Sequence, residues 1–296
     1  MSEVGRDQMG ESLWSLVASV GTALVEVEEL GRRARDDPRR TYRLRFADGS
    51  TLKGRRFPSV ERATLLWRIH AGAAAQYLTR AVAQEGDGLL EEWVDGESLA
   101  QGQVGERLLQ EAGRMLGVLH TCPVASIDDL TFEPLDGGAW ARKTVDAVRL
   151  LRQRRLISGD RAEWLAAQAM SDQPSDVTMG IVHRDLCPAN LIVNRHGRLI
   201  SVDNGTMTVG AIDHDLCRVW YRWPMTPAER GAFNRGYREH RDAEVPERPS
   251  NFWAIAVIVN SARTRLALSE RSAVDALRRL DDLAPACPAQ DLLAAP

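Results

Sequence analysis

One stretch, residues 181–205, constrains the fold of this chain more than any other. It reads IVHRDLCPANLIVNRHGRLISVDNG. Two short apolar segments, residues 191–193 and 199–202, flank a turn at residues 194–197. Apolar runs separated by a turn of Asn and Gly residues are typical of a β-hairpin. We therefore predict a hairpin whose two ends carry the polar residues of the stretch.

Those ends hold two acids and one amide, Asp185, Asn190 and Asp203. Carboxylate and amide oxygens are the ligands that Mg²⁺ takes in proteins. Phosphoryl transfer also needs an acid beside the attacking hydroxyl. The set therefore indicates a site that transfers a phosphoryl group from ATP with the help of Mg²⁺.

The same residues carry a resemblance to a known superfamily. The pattern H-R-D-L-x-x-x-x-N followed by D-x-G resembles the catalytic core of protein-kinase-like enzymes. The resemblance implies that Asp185 is the catalytic base, that Asn190 and Asp203 bind Mg²⁺, and that His183 braces the catalytic loop. One departure is Asn204, which stands where protein kinases usually have Phe.

Composition agrees with an ordinary soluble globular protein. The chain has 296 residues, 44% of them hydrophobic and 27% charged, and a net charge of -3. This charge gives no argument for nucleic acid or an anionic membrane as partner. The first residues, MSEVGRDQMGE, lack the apolar core of a signal peptide, and the four cysteines are scattered. We expect a cytoplasmic protein with free thiols, no membrane segment, and an oligomeric state that the sequence leaves open.

The first third of the chain alternates in the manner of strands. Strands are predicted at residues 24–30, 41–46 and 51–57, and a helix from about residue 58 to 70. This order resembles the small ATP-binding lobe of the superfamily. The resemblance implies that Lys53 holds the α- and β-phosphates and that Glu61, on the following helix, is its partner. The spacing between the two is short for protein kinases.

The loop at residues 31–40, GRRARDDPRR, departs from that lobe. Kinases place a glycine-rich turn here so that backbone N–H groups can approach the phosphates. This loop has one glycine and five arginines. The arginines either neutralise phosphates or belong to a solvated loop, and the sequence leaves both readings open.

Two further strands are predicted at residues 77–83 and 88–94. The second lies in GLLEEWVDGESL, which resembles the hinge of aminoglycoside phosphotransferase and choline kinase relatives. The resemblance implies that backbone groups of Glu92, Trp93 and Val94 bind adenine.

About sixty residues separate a helix at residues 104–120 from the catalytic loop, and helices are predicted there at residues 140–156 and 160–170. The same branch has helices at this point that wall the acceptor pocket. Acidic residues precede them and either attract a cationic acceptor or form a solvated loop. These residues are Asp128, Asp129, Glu133 and Asp136.

Downstream, Asp215 or Asp213 resembles the acid that braces the catalytic loop, and FNRGY at residues 233–237 resembles the branch's F-x-x-G-Y helix. Helices are predicted at residues 227–240, 251–268 and 271–283.

We therefore predict an α+β, two-lobed, protein-kinase-like fold, with a small lobe at residues 1–94 and a large helical lobe at 95–296. The expected function is ATP- and Mg²⁺-dependent transfer of the γ-phosphate to a hydroxyl of a small molecule. Two alternatives are a protein Ser/Thr kinase and a catalytically idle nucleotide-binding regulator. The sequence does not identify the acceptor or exclude GTP as donor.

Overall fold

A computed structural model describes residues 9–31, 39–123 and 136–280 of the chain. Its helices are α1 (Glu11–Ser19), α2 (Val60–Ala71), α3 (Glu106–Thr121), α4 (Gly137–Gln153), α5 (Gly159–Ser171), α6 (Ile212–Arg222), α7 (Pro227–Arg238), α8 (Asn251–Leu266) and α9 (Glu270–Leu277). Its strands are β1 (Leu24–Glu29), β2 (Arg40–Phe46), β3 (Thr51–Arg56), β4 (Ala81–Glu85), β5 (Gly88–Glu92), β6 (Gly96–Ser98), β7 (Met179–Val182), β8 (Leu191–Asn194), β9 (Leu199–Ser201) and β10 (Thr208–Ala211).

The first five strands form one antiparallel sheet in the order β1-β2-β3-β5-β4. Since side chains alternate along a strand, each strand gives one set of residues to each face. Leu44 and Leu90 face α1 and build a small core with Leu13. The opposite face carries Lys53 and, directly across on β5, Glu91. One face is therefore apolar, and the other presents charge toward the second half of the molecule.

Helix α2 lies between β3 and β4 in the chain and joins the main core. Ser59 begins it as an N-cap, with its hydroxyl accepting from the N–H of Arg62 at 3.3 Å. Ala63, Leu66 and Ile69 are buried and belong to the main core. Glu61, in the first turn of the helix, lies off this apolar stripe and is exposed.

The helical half is built on the close packing of α3 against α7. A Cβ added at Gly236 would overlap the carbonyl oxygen of Gln110, and one at Gly113 would overlap that of Phe233. Only glycine allows the two backbones to approach so closely. The glycine of the F-x-x-G-Y pattern is thus explained by helix packing.

The catalytic hairpin forms as predicted. Strands β8 and β9 pair around the turn, and β6 joins β8 on its other side. Strand β7, just before the catalytic loop, pairs with β10. Helices α4 and α5 pack on α8 in a second core that includes Leu151, Leu165 and Val257. The whole is the α+β, two-lobed architecture expected from the sequence; the boundary at residues 94 and 95 stays a prediction.

Three details differ from the expectations. The strand expected at residues 77–83 begins only at Ala81, because Ala75–Tyr77 form a 3₁₀ turn. Helix α6 was not predicted. Most of the arginine-rich loop, at residues 32–38, lies outside the described residues, as do residues 281–283 of the last predicted helix.

In the described part of the chain, Cys122, Cys187 and Cys217 are free thiols. No described helix combines the length and the apolar character needed to cross a membrane.

Candidate active site

The catalytic loop is fixed by Asp215, a buried acid of α6. The N–H groups of His183 and Arg184 donate to its two carboxylate oxygens at 2.8 and 2.7 Å. Nε2 of His120 lies 3.1 Å away. Burial alone would raise the pKa of Asp215, but these hydrogen bonds and the nearby histidines lower it to about 2. Of the two acids considered from the sequence, Asp215 holds the loop and Asp213 is exposed.

The contacts with Asp215 hold the backbone at Arg184 in an unusual conformation. Arg184 has φ 67°, in the left-handed region that L residues other than glycine seldom occupy. The hydrogen bonds that the N–H groups of His183 and Arg184 donate to Asp215 offset the strain. The side chain of the next residue, Asp185, remains 17% exposed.

His183 lies fully buried beneath the loop. Its Nδ1 accepts from the N–H of Asp185 at 3.2 Å, so Nε2 carries the proton and donates to Oγ of Ser201 at 2.8 Å. Ser201 in turn donates to Oδ1 of Asn204 at 2.7 Å. Burial lowers the pKa of His183, which favours the neutral ring that these bonds require.

Asn204 explains the departure from the D-F-G pattern of protein kinases. Its side chain is buried and donates to the carbonyl oxygen of Ser201 at 3.0 Å and to Oγ1 of Thr79 at 3.5 Å. A series of hydrogen bonds therefore passes through Asn204, at the position where protein kinases usually have Phe. It continues through Thr79, whose hydroxyl donates to Glu91 of the sheet at 2.7 Å.

Asp185 and Asn190 are in direct contact. Nδ2 of Asn190 donates to the backbone oxygen of Asp185 at 2.8 Å and to its Oδ2 at 3.3 Å. The other carboxylate oxygen, Oδ1, lies 3.2 Å from Nη2 of Arg218 and 3.1 Å from Nε of Arg222. Both arginines belong to α6. Asp185 is thus held between an amide on one side and two guanidinium groups on the other.

Asp203 stands at the end of β9 with φ 55° and ψ 40°. This left-handed conformation turns its carboxylate into the cleft, where the side chain is 43% exposed. Nη1 of Arg55 lies 3.8 Å from its Oδ1. The following Gly205 has no room for a Cβ, because that atom would overlap Nη1 of Arg55. The carbonyl oxygen of Gly205 accepts from Arg62 of α2 at 2.9 Å.

The oxygens of Asn190 and Asp203 fit a magnesium ion. Nδ2 of Asn190 is used by Asp185, which leaves Oδ1 to act as a ligand. Within the described ranges no three His, Cys, Asp or Glu side chains form a group that could hold a metal ion. Mg²⁺ needs no such group, because it keeps several waters and is bound through one or two protein oxygens together with substrate phosphates.

The sheet contributes a buried ion pair that the sequence did not reveal. Nε of Arg55 lies 2.5 Å from Oε2 of Glu91, and both side chains are almost fully buried. Burial alone would raise the pKa of Glu91, but Arg55, His70 and Lys53 lower it to about 2. Nη2 of Arg55 is buried and has no hydrogen-bond partner among the described residues. Arg55 also lines the cleft beside Asp203.

Lys53 lies on the same face of β3, two residues earlier, and lines the cleft. Burial and then the charge of Arg55 lower its pKa to about 8, against the attraction of Glu91 and Asp203. The predicted ion pair between Lys53 and Glu61 is wrong. Glu61 is exposed on α2, where its carboxylate accepts a hydrogen bond from Ser59. The acid opposite Lys53 on this face of the sheet is Glu91 of β5.

The predicted hinge follows β5 directly. The N–H of Glu92 donates to the carbonyl oxygen of Arg80 at 2.8 Å, and the two side chains form an exposed ion pair. Trp93 donates from Nε1 to Asp95, and the guanidinium of Arg43 lies 4.6 Å above its ring. Val94 is half-buried. Adenine binding by these three residues stays a prediction.

A cleft of about 490 Å³ opens between the sheet and the catalytic hairpin. Most of the charged groups that line it are cationic. They are Arg39, Arg40, Lys53, Arg55 and Arg56, against Glu29 and Asp203. Such a lining attracts polyanions such as the phosphates of a nucleotide. The two described arginines of the arginine-rich loop, Arg39 and Arg40, thus do lie beside the cleft.

Among the acids expected before the insert helices, only Asp136 is described. Its carboxylate caps α4, accepting from the N–H of Ala139 at 2.6 Å. That role is structural. Asp128, Asp129 and Glu133 lie outside the described residues.

The chain matches known phosphotransferases in sequence and fold. Residues 30–248 match the Phosphotransferase enzyme family, APH. A curated relative, the "Probable cell division protein kinase" of Encephalitozoon cuniculi, is 33% identical over 81 residues. That alignment spans 27% of this chain and 26% of the relative, about a quarter of its length.

Three solved structures share the fold across most of their length. Macrolide 2′-phosphotransferase MphH from Brachybacterium faecium has a TM-score of 0.62 and 17% identity, over 90% of this chain and 97% of its own. Spectinomycin phosphotransferase APH(9)-Ia, solved with ADP and spectinomycin, has a TM-score of 0.60 and 10% identity, covering 91% and 94%. Choline kinase from Cryptosporidium parvum Iowa II has a TM-score of 0.56 and 11% identity, covering 87% and 89%.

The fold is accordingly that of the protein-kinase-like phosphotransferases, as the sequence indicated. The family match covers well over half of the chain and includes the catalytic hairpin, the sheet with Lys53 and the insert helices. This chain belongs to the APH phosphotransferase enzyme family.

Proposed function

We propose that this phosphotransferase moves the γ-phosphate of ATP, in the presence of Mg²⁺, to a hydroxyl group of a small molecule. One observation carries the proposal. Asp185 and Asn190 are in hydrogen-bond contact just before the hairpin, and Asp203, just after it at the same end, points into a cationic cleft. An acid, two metal-ligand oxygens and a phosphate-attracting lining are the parts that phosphoryl transfer requires.

Each residue has a role in this proposal. Asp185 orients the acceptor hydroxyl and accepts its proton, while Asn190 and Asp203 hold Mg²⁺. When bound, the ion neutralises charge on the phosphates. Lys53 and the unpartnered Nη2 of Arg55 donate to phosphate oxygens. His183 braces the loop through the buried bonds described above, and Glu92, Trp93 and Val94 accommodate the base.

A small-molecule acceptor is favoured by the short segment after the D-x-G motif. Only residues 206–211 lie between that motif and α6, and four of them form β10, which pairs with β7. Little chain is left to form a platform for a substrate peptide. Helices α4 and α5 stand where the walls of a small-molecule pocket would lie. An idle regulator would be free to lose Asp185, Asn190 and Asp203, and all three are present.

The proposal is tested by measuring ATP consumption against a panel of hydroxylated small molecules, with a Lys53→Ala variant as the reference for lost donor binding. We expect acceptor-dependent consumption that requires Mg²⁺. A protein that binds no Mg-ATP in calorimetry, or one that phosphorylates a protein partner stoichiometrically and no small molecule, would contradict it.

Asp203→Ala should weaken Mg-ATP binding by ~10- to 100-fold, since an interaction with a charged ligand contributes roughly 1.5–3 kcal/mol. Binding of ATP without Mg²⁺ should change much less, because the variant also removes a negative charge from the phosphate site. Calorimetry with Mg²⁺ and with EDTA measures the two losses. Equal losses in both conditions would remove the metal-binding role of Asp203.

Donor binding should also depend on pH through Lys53. Its pKa of about 8 means that the free protein loses this positive charge above about pH 8. A bound phosphate favours the protonated form, so Mg-ATP affinity should fall by up to about tenfold per pH unit beyond that point. Titrations between neutral pH and about pH 9.5 measure this slope. A Lys53→Met variant should bind more weakly with little slope; an equally steep slope in the variant would assign the effect to another group.

A further inference from the structure

The acceptor side of Asp185 is cationic. Arg218 and Arg222 lie four residues apart on α6 and both contact Oδ1 of Asp185, at 3.2 and 3.1 Å. Nη1 of Arg218 also donates to Oγ of Ser261 on α8 at 3.3 Å. These contacts define the position of α6 and α8 around the catalytic acid, on the side away from the metal-ligand residue Asn190.

Three more cations extend this patch. Lys143 of α4 lies 4.4 Å above the ring of Trp140, which stacks at 4.3 Å on His214, one turn before Arg218. Arg263 lies on α8, and its charge acts on Lys143. Arg184 directly precedes Asp185. The acceptor-side patch therefore consists of Lys143, Arg184, Arg218, Arg222 and Arg263, drawn from four different elements.

The members of this patch lie close enough to repel one another. Burial and then the charges of Arg184 and Arg263 lower the pKa of Lys143 to about 8. His214, beneath the patch, has its pKa held well below the usual range by burial and by Arg218 and Arg184, so it adds no further charge.

Three members of the patch have no acidic partner among the described residues. In the part of the chain that the structure describes, Lys143, Arg184 and Arg263 form no ion pair with Asp or Glu. Among the described residues, the carboxylate in contact with the patch is that of Asp185, which contacts both Arg218 and Arg222. The nearby Asp215 is occupied by His120 and two backbone N–H groups. Like charges held together in a partly desolvated site are unfavourable, and an anion from outside relieves the repulsion.

We propose that the acceptor is an anion, a hydroxyl compound carrying a carboxylate or phosphate group that the patch binds beside Asp185. This inference rests on the proposed function and narrows it. It also separates this chain from the choline kinase to which it is similar, since a quaternary ammonium acceptor would meet five cations. The anionic group binds Lys143 and Arg263, while the hydroxyl lies at Asp185.

Binding of simple ions to the protein tests the patch without knowledge of the acceptor. The nucleotide site is first filled with Mg-ADP, and sulfate, glycolate and choline are then titrated by calorimetry. We expect saturable binding of an anion and none of choline. Tighter binding of sulfate than of glycolate indicates an acceptor that carries a phosphate group. Tighter binding of glycolate indicates an acceptor that carries a carboxylate.

The Lys143→Gln/Arg263→Gln variant should bind the preferred anion at least ~10-fold more weakly, as expected when charge-assisted hydrogen bonds are lost. Its Mg-ADP affinity should be unchanged, and its melting temperature equal or higher, because repulsion is relieved. A purely structural role for the two residues would lower that temperature. Arg265→Gln is the control for the Arg263→Gln half of this variant: it removes one positive charge from α8, beside the ring of Tyr221.

Turnover with matched sugars gives an independent readout, using glucose, gluconate, glucose 6-phosphate and glucosamine. Preference for either anionic compound supports the proposal. A preference for glucosamine, an anion affinity equal in wild type and variant, or saturable choline binding overturns it. Failure to bind Mg-ADP would instead count against the proposed function, so the two failures are distinguishable.

Discussion

Asp185→Asn should lower turnover by ~10²–10⁴-fold, the range that general acid–base catalysis contributes. The amide keeps the size of the side chain and can still accept from Arg218 and Arg222, but it cannot take the proton of the acceptor hydroxyl. Mg-ATP binding depends on Asn190, Asp203 and the cationic cleft, so it should remain close to that of the wild type. Single-turnover assays separate the chemical step from donor binding.

The stability of this variant needs its own control, because Asp185 also neutralises two arginines. Asp146→Asn makes the same chemical change in an exposed pair with Arg149 on α4. We expect no loss of turnover there. A folded Asp185→Asn protein that keeps turnover within about threefold of the wild type, equivalent to less than ~1 kcal/mol of barrier, would show that the role assigned to Asp185 is wrong.

The structure brings together the predicted site residues that are close in sequence, because one local segment places them; their roles stay predictions. His183, Asp185, Asn190 and Asp203 lie within twenty-five residues on one hairpin. Strand pairing then fixes their separation almost regardless of the rest of the chain. All residues of the pattern H-R-D-L-x-x-x-x-N with D-x-G belong to this hairpin and the residues directly before and after it. For this reason the sequence alone indicated phosphoryl transfer.

Residues brought together by tertiary packing were not predictable in this way. Arg55 and Glu91 meet only because β3 and β5 are neighbours in register. Arg218 and Arg222 reach Asp185 only because α6 begins directly after β10. Helix α6 itself was not predicted, although its apolar and polar residues are segregated at helical spacing.

The error at Glu61 has a geometric cause. An acid early in a helix after a lysine-bearing strand resembles the kinase pattern, but α2 places its apolar stripe at residues 63, 66 and 69. Its first turn then points to solvent. On β3, alternation puts Lys53 and Arg55 on one face, so sequence alone cannot tell which approaches Asp203. The contact at 3.8 Å favours Arg55.

The buried pair of Arg55 and Glu91 leads to the largest expected change in stability. Arg55→Met should cost ~3–5 kcal/mol of unfolding free energy, because it leaves a buried carboxylate without its main counter-charge. The control is Arg80→Met, which breaks an exposed pair with the adjacent Glu92. Surface pairs contribute only ~0–1 kcal/mol, so the control should unfold nearly as the wild type does.

A double variant distinguishes stability from catalysis. Arg55→Met with Glu91→Leu removes both charges, and replacing a buried ion pair by apolar residues is often neutral or stabilising. We therefore expect most of the lost stability to return. Mg-ATP binding should stay weak, since the donor Nη2 of Arg55 is gone. Recovery of nucleotide affinity together with stability would assign Arg55 a structural role alone.

The pH dependence of the single variant is set by the carboxylate. The pKa of Glu91 is lowered from 4.5 to about 2 in the folded protein, so its contribution to stability is present above about pH 4.5 and is lost as the pH falls toward 2. Without Arg55 the pKa of Glu91 is lowered less, so the variant loses less stability as the pH falls. The stability difference between wild type and Arg55→Met should therefore be largest at neutral pH and smaller at about pH 4. Urea unfolding at both values measures it, and a difference that grows in acid would mean that Arg55 stabilises the fold through a group other than Glu91.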